Sequence, residues 1–514
     1  MGALHATSYI SLEGYCGSVA SAPRRSSCPR GNRRPESDGT RKGERPPEVA
    51  TVKYADTLRL HVPPRITCYG GVGEIGGNKF VLEDGGVKVV LDFGTGFSDG
   101  SDYYDSSISP RGVNGAGDLF EFDLLPQLPG LYSEDSLQNT KVRYSEPEYD
   151  AVVLSHFHSD HTGRIGYIDP KIPVYCGETT SLIHEAYAGS TGSPLKGHPI
   201  RTFRTGSKFT IGPMEFHPVH VDHSIPGAYG FVIHTSGGTV AYTGDFRFHG
   251  PAGSMTRDFI EWARDGKPEL LLTEGTRVTP GDESSNMSET VVKKEALKMV
   301  KGTRALVFST FRGNDVDRVN TFYDACLATG RRLVVSVKVA VLLEKLKTDK
   351  GLRVPRTGRD VDVYLRRKKT GKFDDSDYYS WERPFLSRGV TAEDVRKRQK
   401  EVFLHLEAWN FPELIDIKPD RGGTYIHAAT EAFNEEGERE ESLIRNWVDH
   451  VGFSYAQLHA SGHAPGREVG ELVQGVSPKK VVPVHTEHPE LFLRFGRGRG
   501  WGLEVPVKGE PVSF

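Results

Sequence analysis

The sequence predicts a mixed α/β protein in which one sheet-rich domain is interrupted by a second and then resumed. Three observations predict it. Short β-rich runs follow one another as far as about residue 285, helix-period segments lie between and after them, and short strands with His-rich turns return beyond about Phe453.

In chain order the strand-sized runs are "RITCYG", "KFVLED", "VKVVLDFG", "YDAVVLSH", "IPVYCG", "MEFHPVHV", "YGFVIHT", "GTVAYTGDF" and "ELLLTEG". Many are bounded by Gly, Pro or Asp, and "VLEDGGVKVV" carries hairpin turn chemistry. Helices are expected at "TTSLIHEAY", "SETVVKKEALKMV" and "DVDRVNTFYDACLATG". In the last, Val316, Val319, Phe322, Tyr323 and Cys326 form a stripe closed by Gly330. After Lys301 the texture becomes α/β, with "TRALVFST", "RRLVVSV" and "KVAVLLEKLKTD", then a charged stretch from Arg353 to Lys400. The expected organisation is a disordered tail over 1–64, a first domain over 65–285 that resumes over 453–514, and an inserted domain over 286–452.

Composition narrows the function classes. The chain has 514 residues, 37% hydrophobic, with a formal charge of -3, so a polyanion would be met by local basic patches and not by overall charge. Cys16, Cys28, Cys68, Cys176 and Cys326 lie far apart with no CxxC pair, which argues against a disulfide framework and a thiolate metal site and for a reducing, cytoplasmic setting. No apolar run approaches the roughly 18 residues of a membrane helix, and the first residues lack a basic n-region and a myristoylation pattern. Membrane insertion, secretion and lipid anchoring are not expected. The Arg-, Ser-, Pro- and Gly-rich tail offers almost nothing to bury.

"GVGEIG" at Gly71–Gly76 matches G-x-G-x-x-G, with Asp92 about 20 residues on. A dinucleotide site needs a helix directly after these glycines, but "NKFVLEDGGVKVVLDFG" alternates as a strand, turns and re-enters as a strand. The glycines are read as a tight turn that lets another group approach the backbone.

"LSHFHSDHTG" packs His156, His158, Asp160 and His161 into six positions after the strand "AVVLS". Imidazole nitrogen and carboxylate oxygen are the donors a borderline cation prefers, and a strand end can aim them rigidly. His223 in "VDHSIPG", Asp245 in "YTGDF" and His485 in "VVPVHTEH" also lie at strand ends. Seven donors exceed one tetrahedral site and suit two ions sharing a bridging carboxylate, a pair that activates water for hydrolysis.

These residues resemble the metallo-β-lactamase superfamily, whose signature H-x-H-x-D-H is present as His156, His158, Asp160 and His161. His485 lies 240 residues beyond Asp245, which points to the β-CASP branch, where a domain is inserted at this place. Further marks are Glu274 in "LLTEGT" and His463 in "SGHA", and "GGVGEIGGN", "LDFG", "HSIPG", "YTGDF" and "HASGHA" resemble the ribonuclease J group and its archaeal-type relatives that lack a C-terminal domain. The resemblance spans about Arg65 to Glu504.

It implies an αββα sandwich with an inserted α/β β-CASP domain and two Zn2+ per chain. One ion would be held by His156, His158 and His223, the other by Asp160, His161 and His485, with Asp245 bridging and Asp92 steadying the ligand loop. His463, oriented by Glu274, would stabilise the transition state or protonate the departing oxygen, and Asp160 counts among the catalytic set. The implied activity is hydrolysis of RNA, 5′ to 3′ exonucleolytic with endonucleolytic cuts. RNA is favoured over DNA because the RNA-processing members resemble this chain in keeping a His at the His485 position.

Phosphate contacts need cationic or backbone N–H donors. Candidates are Arg312, Gly313 and Asn314 in "TFRGND" and the turn His459, Ala460, Ser461, Gly462 and His463; a salt bridge from Arg312 to Asp315 or Asp317 is the plain alternative. Basic runs at Arg366–Lys369 and Arg396–Lys400 wall an RNA channel or form solvated helix faces. The stretch 98–147 is a lid, a partner surface or a surface loop. Expected partners are RNA, with a homodimer or an RNA-decay complex as further options. The competing classes are a small-molecule metallo-hydrolase, a DNA-directed β-CASP nuclease and a non-catalytic RNA-binding scaffold.

Overall fold

The computed structural model describes residues 63–97, 103–104, 108–281, 287–430, 435–496 and 500–514. The tail expected over 1–64 therefore falls, up to residue 62, outside the described residues.

Two seven-stranded sheets form the first layer pair. One runs, in spatial order, Pro511–Ser513, Arg65–Gly70, Lys79–Asp84, Val87–Phe93, Ala151–Val153, Val174–Gly177 and Ile200–Phe203. The other runs Gly502–Leu503, Lys480–Val484, Leu270–Glu274, Gly238–Tyr242, Tyr229–Thr235, Met214–His220 and Phe209–Ile211. Alternating apolar residues of both sheets, among them Leu82, Leu91, Phe216, Phe231, Leu272 and Val482, share one buried cluster, so the sheets pack face to face. Gly85 and Gly86 have φ of 58° and 85°, the left-handed pair that a two-residue hairpin between Lys79–Asp84 and Val87–Phe93 needs.

Helices cover the outer faces. Gly253–Asp265 and Gly466–Val476 lie on the second sheet, burying Phe259 and Ala263 from one and Val469, Leu472, Val473 and Val476 from the other. Neither is among the helices expected from the sequence: Gly466, Gly470 and Gly475 dilute the signal of the second, although its buried positions keep helical spacing. On the first sheet's outer face, the described part of the 98–147 stretch buries Ala116, Leu119, Phe120, Leu125 and Leu131 beside Ile165 and Ile183. Through these residues the stretch contributes to the core, while Tyr103, Ile108 and Val113 remain exposed.

A third, all-parallel sheet runs Asp362–Tyr364, Arg332–Ser336, Val402–His405, Val307–Thr310, Thr424–His427 and Ser454–Gln457. It is built wholly from chain lying between Leu270–Glu274 and Lys480–Val484, two strands that pair in parallel with each other in the second sheet. The chain thus leaves the sandwich, builds a separate sheet with helices on both faces, and returns to the neighbouring strand position. Ser288 and Asp315 cap the helices Glu289–Gly302 and Val316–Thr329 with their side chains, and Gly330 ends the second in the left-handed region, as the sequence stripe requires. The two parts also meet where helix Glu178–Ala188 packs on Val337–Leu346, with Thr179 Oγ1 donating to Asp349 Oδ2 at 2.6 Å and Lys345 pairing with Glu185 at 3.1 Å. No helix of the described residues is long and apolar enough to cross a membrane.

Candidate metal centre

The centre is assembled at strand ends. Asp92, next to last in Val87–Phe93, has a φ of 53° and is fully buried. Its carboxylate accepts hydrogen bonds from the Ser155 amide (2.8 Å), the Ser155 hydroxyl (2.6 Å), the Tyr242 hydroxyl (2.6 Å) and His161 Nδ1 (2.8 Å). A carboxylate satisfied in this way locks the strand end Ala151–Val153 to its neighbour. It also fixes a proton on His161 Nδ1, so that Nε2 is the nitrogen turned to the cluster.

The "GVGEIGGN" turn supports the same loop from below. Gly71, Gly73, Gly76 and Gly77 all have positive φ, and the chain continues as the strand Lys79–Asp84, leaving no helix for a nucleotide. The backbone of Asn78 donates to Asp160 O at 3.1 Å, and Gly71 O accepts from His485 N at 2.7 Å. A Cβ on Gly94 would come within 1.7 Å of Asp160 O. The glycines allow two backbone segments to touch where the ligand-type residues emerge.

Seven side chains converge, all almost completely buried apart from His158. His156, His158, His223 and Asp245 form one group able to hold an ion, and Asp160, His161, Asp245 and His485 form a second that shares Asp245. Within the first, His158 Nδ1 lies 3.1 Å from His156 Nε2 and 3.0 Å from His223 Nε2. Within the second, His485 Nε2 lies 2.9 Å from Asp160 Oδ2. Asp245 Oδ2 stands between them, 3.6 Å from His156 Nε2, 3.1 Å from His161 Nε2, 3.8 Å from His223 Nε2 and 3.7 Å from His485 Nε2. It is buried and has hydrogen-bond geometry with none of them.

Charge in the two groups differs. Burial drives His156 and His223 well below the ordinary histidine range and lowers His158 to about 3, so the first group is neutral imidazole, the ligating form. Burial also works against the charged forms in the second group. There Asp245 and Asp160, with Asp92 beside His161, raise His161 and His485, while those imidazolium charges hold both carboxyls down. The protons on His161 and His485 offset two buried carboxylates, and cations bound there would replace them. A buried carboxylate oxygen without a hydrogen bond, ringed by imidazole nitrogens, fits a divalent metal ion.

A third acid–imidazole pair adjoins the cluster. His463 Nδ1 donates to Glu274 Oε2 at 2.9 Å and lies 3.8 Å from Asp245 Oδ2. Burial opposes its charge, but Glu274 and Asp245 outweigh burial and raise His463 to about 9. Glu274 Oε1 accepts from the Phe246 amide at 2.8 Å, and Oε2 also accepts from Thr276 Oγ1 at 2.7 Å, which is 2.9 Å from His485 Nδ1. Glu274 therefore steers both histidines. Thr276 and Ser155 do not stand out in the sequence; the local signal is a hydroxyl two residues after Glu274 in one case and directly before His156 in the other. His223 has its tautomer set from another side, by Gly462 O accepting from Nδ1 at 2.6 Å.

The phosphate-contact candidates lie on two loops that follow strands of the parallel sheet. Arg312 is exposed, Gly313 and Asn314 are half-buried, and among the described residues Arg312 makes no ion pair with Asp315 or Asp317. Asp315 instead caps its helix and Asp317 pairs with Arg247 at 2.9 Å. The Arg312 charge is near enough to help lower His158 and His459. In the second loop His459, Ser461 and His463 are half-buried, Gly462 abuts His223, and Ala460 is packed in the core of the inserted part. Of the basic runs, Lys368 is tied to Glu382 at 2.7 Å and Arg367 to Asp416 at 3.0 Å.

Comparison with known proteins agrees with this architecture. Residues 125–308 match a family model described as a beta-lactamase superfamily domain, and residues 451–491 match a Zn-dependent metallo-hydrolase RNA specificity domain. Among curated relatives, ribonuclease J of Sinorhizobium meliloti is 26% identical over 67% of this chain and 60% of its own length. Ribonuclease J 2 of Streptococcus pyogenes is 25% identical over 83% of this chain and 70% of its own. Ribonuclease J of Mycolicibacterium smegmatis is 27% identical over 82% and 68%. The chain thus spans about two thirds of the length of these relatives. A solved structure from Enterococcus faecalis, described as a protein of unknown function, superposes with a TM-score of 0.69 at 20% identity, covering 88% of this chain and all of that one. By these likenesses and by the sheet inserted between neighbouring strands, the chain is similar to the ribonuclease J-like, β-CASP branch of the metallo-β-lactamase superfamily.

Proposed function

We propose that the protein is a two-zinc ribonuclease that hydrolyses RNA phosphodiester bonds. The observation that carries this reading is the position of Asp245 Oδ2, buried, unbonded and shared between two groups of histidines. His156, His158 and His223 would hold one cation and Asp160, His161 and His485 the other, with Asp245 between. When bound, such a pair supplies Lewis acidity toward a phosphate oxygen and makes a neighbouring water a stronger nucleophile.

The chain's own residues supply orientation and a proton. Asp92 and Gly462 O hold the Nδ1 protons of His161 and His223, so their Nε2 atoms face inward. Glu274 accepts a hydrogen bond from His463 Nδ1 and orients the imidazole beside Asp245. As the new oxygen–phosphorus bond forms and the bond to the departing nucleotide breaks, His463 gives the departing oxygen its proton. Arg312, exposed and without an ion pair among the described residues, is suited to a phosphate of the incoming strand. The domain division 65–285, 286–452 and 453–514 belongs to this reading except at its last boundary, which moves beyond Ser454–Gln457 because that strand pairs with Thr424–His427 in the inserted sheet; the substrate would lie between the sandwich and the inserted part.

RNA as substrate is supported by the relatives, which carry the name ribonuclease J, and by the RNA specificity domain matched at residues 451–491. The test is to incubate zinc-loaded protein with 5′-monophosphorylated RNA, DNA of the same sequence and a chromogenic lactam. Degradation of RNA alone, with mononucleotides released from the 5′ end, supports the proposal. Turnover of DNA or lactam in its place would assign the centre to another branch of the superfamily.

A further inference from the structure

Two arginines are the largest fully buried side chains among the described residues, Arg247 and Arg318. Neither belongs to the metal cluster, yet both reach the turn that carries His463. Arg247 Nη1 donates to Ser461 O at 3.2 Å, and Arg318 Nη1 donates to Leu458 O at 3.2 Å. Ser461 O also accepts from His249 Nε2 at 2.9 Å. The turn between Ser454–Gln457 and Gly466–Val476 has no regular structure, so these charged donors fix its height in a dry environment where such bonds are strong.

The remaining nitrogens of Arg247 go in two directions. Nε donates to Asp222 Oδ1 at 3.0 Å, beside His223 in the sandwich. Nη2 donates to Asp317 Oδ2 at 2.9 Å, in the first turn of the inserted part's helix Val316–Thr329, and Nη1 is 3.5 Å from Glu289, which also takes Arg318 Nη2 at 2.9 Å. That helix begins directly after Arg312–Asn314. One guanidinium therefore joins the segment offered to the substrate phosphate, the strand end that bears His223 and the turn that bears His463. Only a planar fork with several N–H groups can do this; a lysine ammonium in its place would satisfy one partner well.

We propose that Arg247 is a positioning residue that aligns His463 with substrate held by the inserted part, acting through Ser461 O on one side and Asp317 on the other. The proposal rests on the hydrolase reading for its kinetic consequence but not for its structural one.

Two variants test it, Arg247→Lys and the gentler Asp317→Ala, whose side chain sits at the rim of the network. With metal content matched by elemental analysis, each is expected to lower kcat on single-stranded RNA about tenfold while KM moves less than about twofold. Combined with His463→Ala, Asp317→Ala is expected to add almost nothing, because a misaligned turn costs nothing once its imidazole is gone. Losses that multiply would make the network a general structural support and overturn the proposal, as would unchanged kcat in Asp317→Ala. A crystal structure of either folded variant reads the same claim without turnover. His463 Nδ1 should leave Glu274, now 2.9 Å away, and a turn that keeps this contact would overturn the proposal whatever the protein hydrolyses.

Discussion

At the residue scale the account turns on Asp245 and on the difference between the histidines around it. Replacing Asp245 by Ala removes the shared carboxylate and leaves His161 and His485 facing only Asp160 and Asp92, so metal and activity are expected to vanish together; retained activity would refute a bridging role. His463→Ala should behave differently. The imidazole is 3.8 Å from Asp245 but belongs to the Glu274 pair, so both metals should stay while kcat falls by about 10²–10⁴-fold. Equal loss of zinc would make it a ligand. Asp92→Asn keeps the shape but weakens the hold on His161 Nδ1, and metal affinity by isothermal titration should drop about 10–100-fold. The seven converging side chains were legible because their donor chemistry is written in residue type and their position at strand ends in the runs before them. Thr276, Ser155 and Arg247 were not, because a lone hydroxyl or arginine says nothing until a partner distant in sequence is brought against it, as Thr276 is against His485.

At the element scale the glycine turn and the ends of strands Val87–Phe93 and Ala151–Val153 form the floor of the centre. Gly94→Ala places a methyl against Asp160 O, within 1.7 Å before relaxation, and should cost at least about 1–3 kcal/mol of stability in a denaturant titration, with loss of metal. An unaltered midpoint would show that the floor is softer than described. Most strands of the sandwich could be read from alternation and turn residues. Ile200–Phe203 and Phe209–Ile211 could not, being short and half-exposed, with "RTFRTGSKFT" offering no clear alternation. The helix Gly253–Asp265 shows the opposite failure. Its buried Thr256, Phe259 and Ala263 are helically spaced, but Met255 and Trp262 on the exposed face blur the stripe. The glycine fingerprint is not a nucleotide site, since the strand Lys79–Asp84 follows where such a site requires a helix.

At the scale of the whole molecule the inserted sheet and the sandwich are joined by the metal-side turn and by the Glu178–Ala188 contact with Val337–Leu346. The long interval between Asp245 and His485 implies an inserted domain, and the pairing of Leu270–Glu274 with Lys480–Val484 gives its physical reason: the chain must come back to the same sheet. Because His485 returns from the far end of the chain to meet Asp160, bound ions should stabilise the entire sandwich. Chelation should lower the melting temperature and zinc should restore it, each site adding about 2.7 kcal/mol of unfolding free energy at a hundredfold excess over Kd. The measurement that bears most directly on the central claim is an anomalous-difference map from zinc-loaded crystals collected at the zinc edge. Two peaks flanking Asp245 Oδ2, one among His156, His158 and His223 and the other among Asp160, His161 and His485, are the predicted result. A single peak, or a second peak that excludes Asp245, would contradict it.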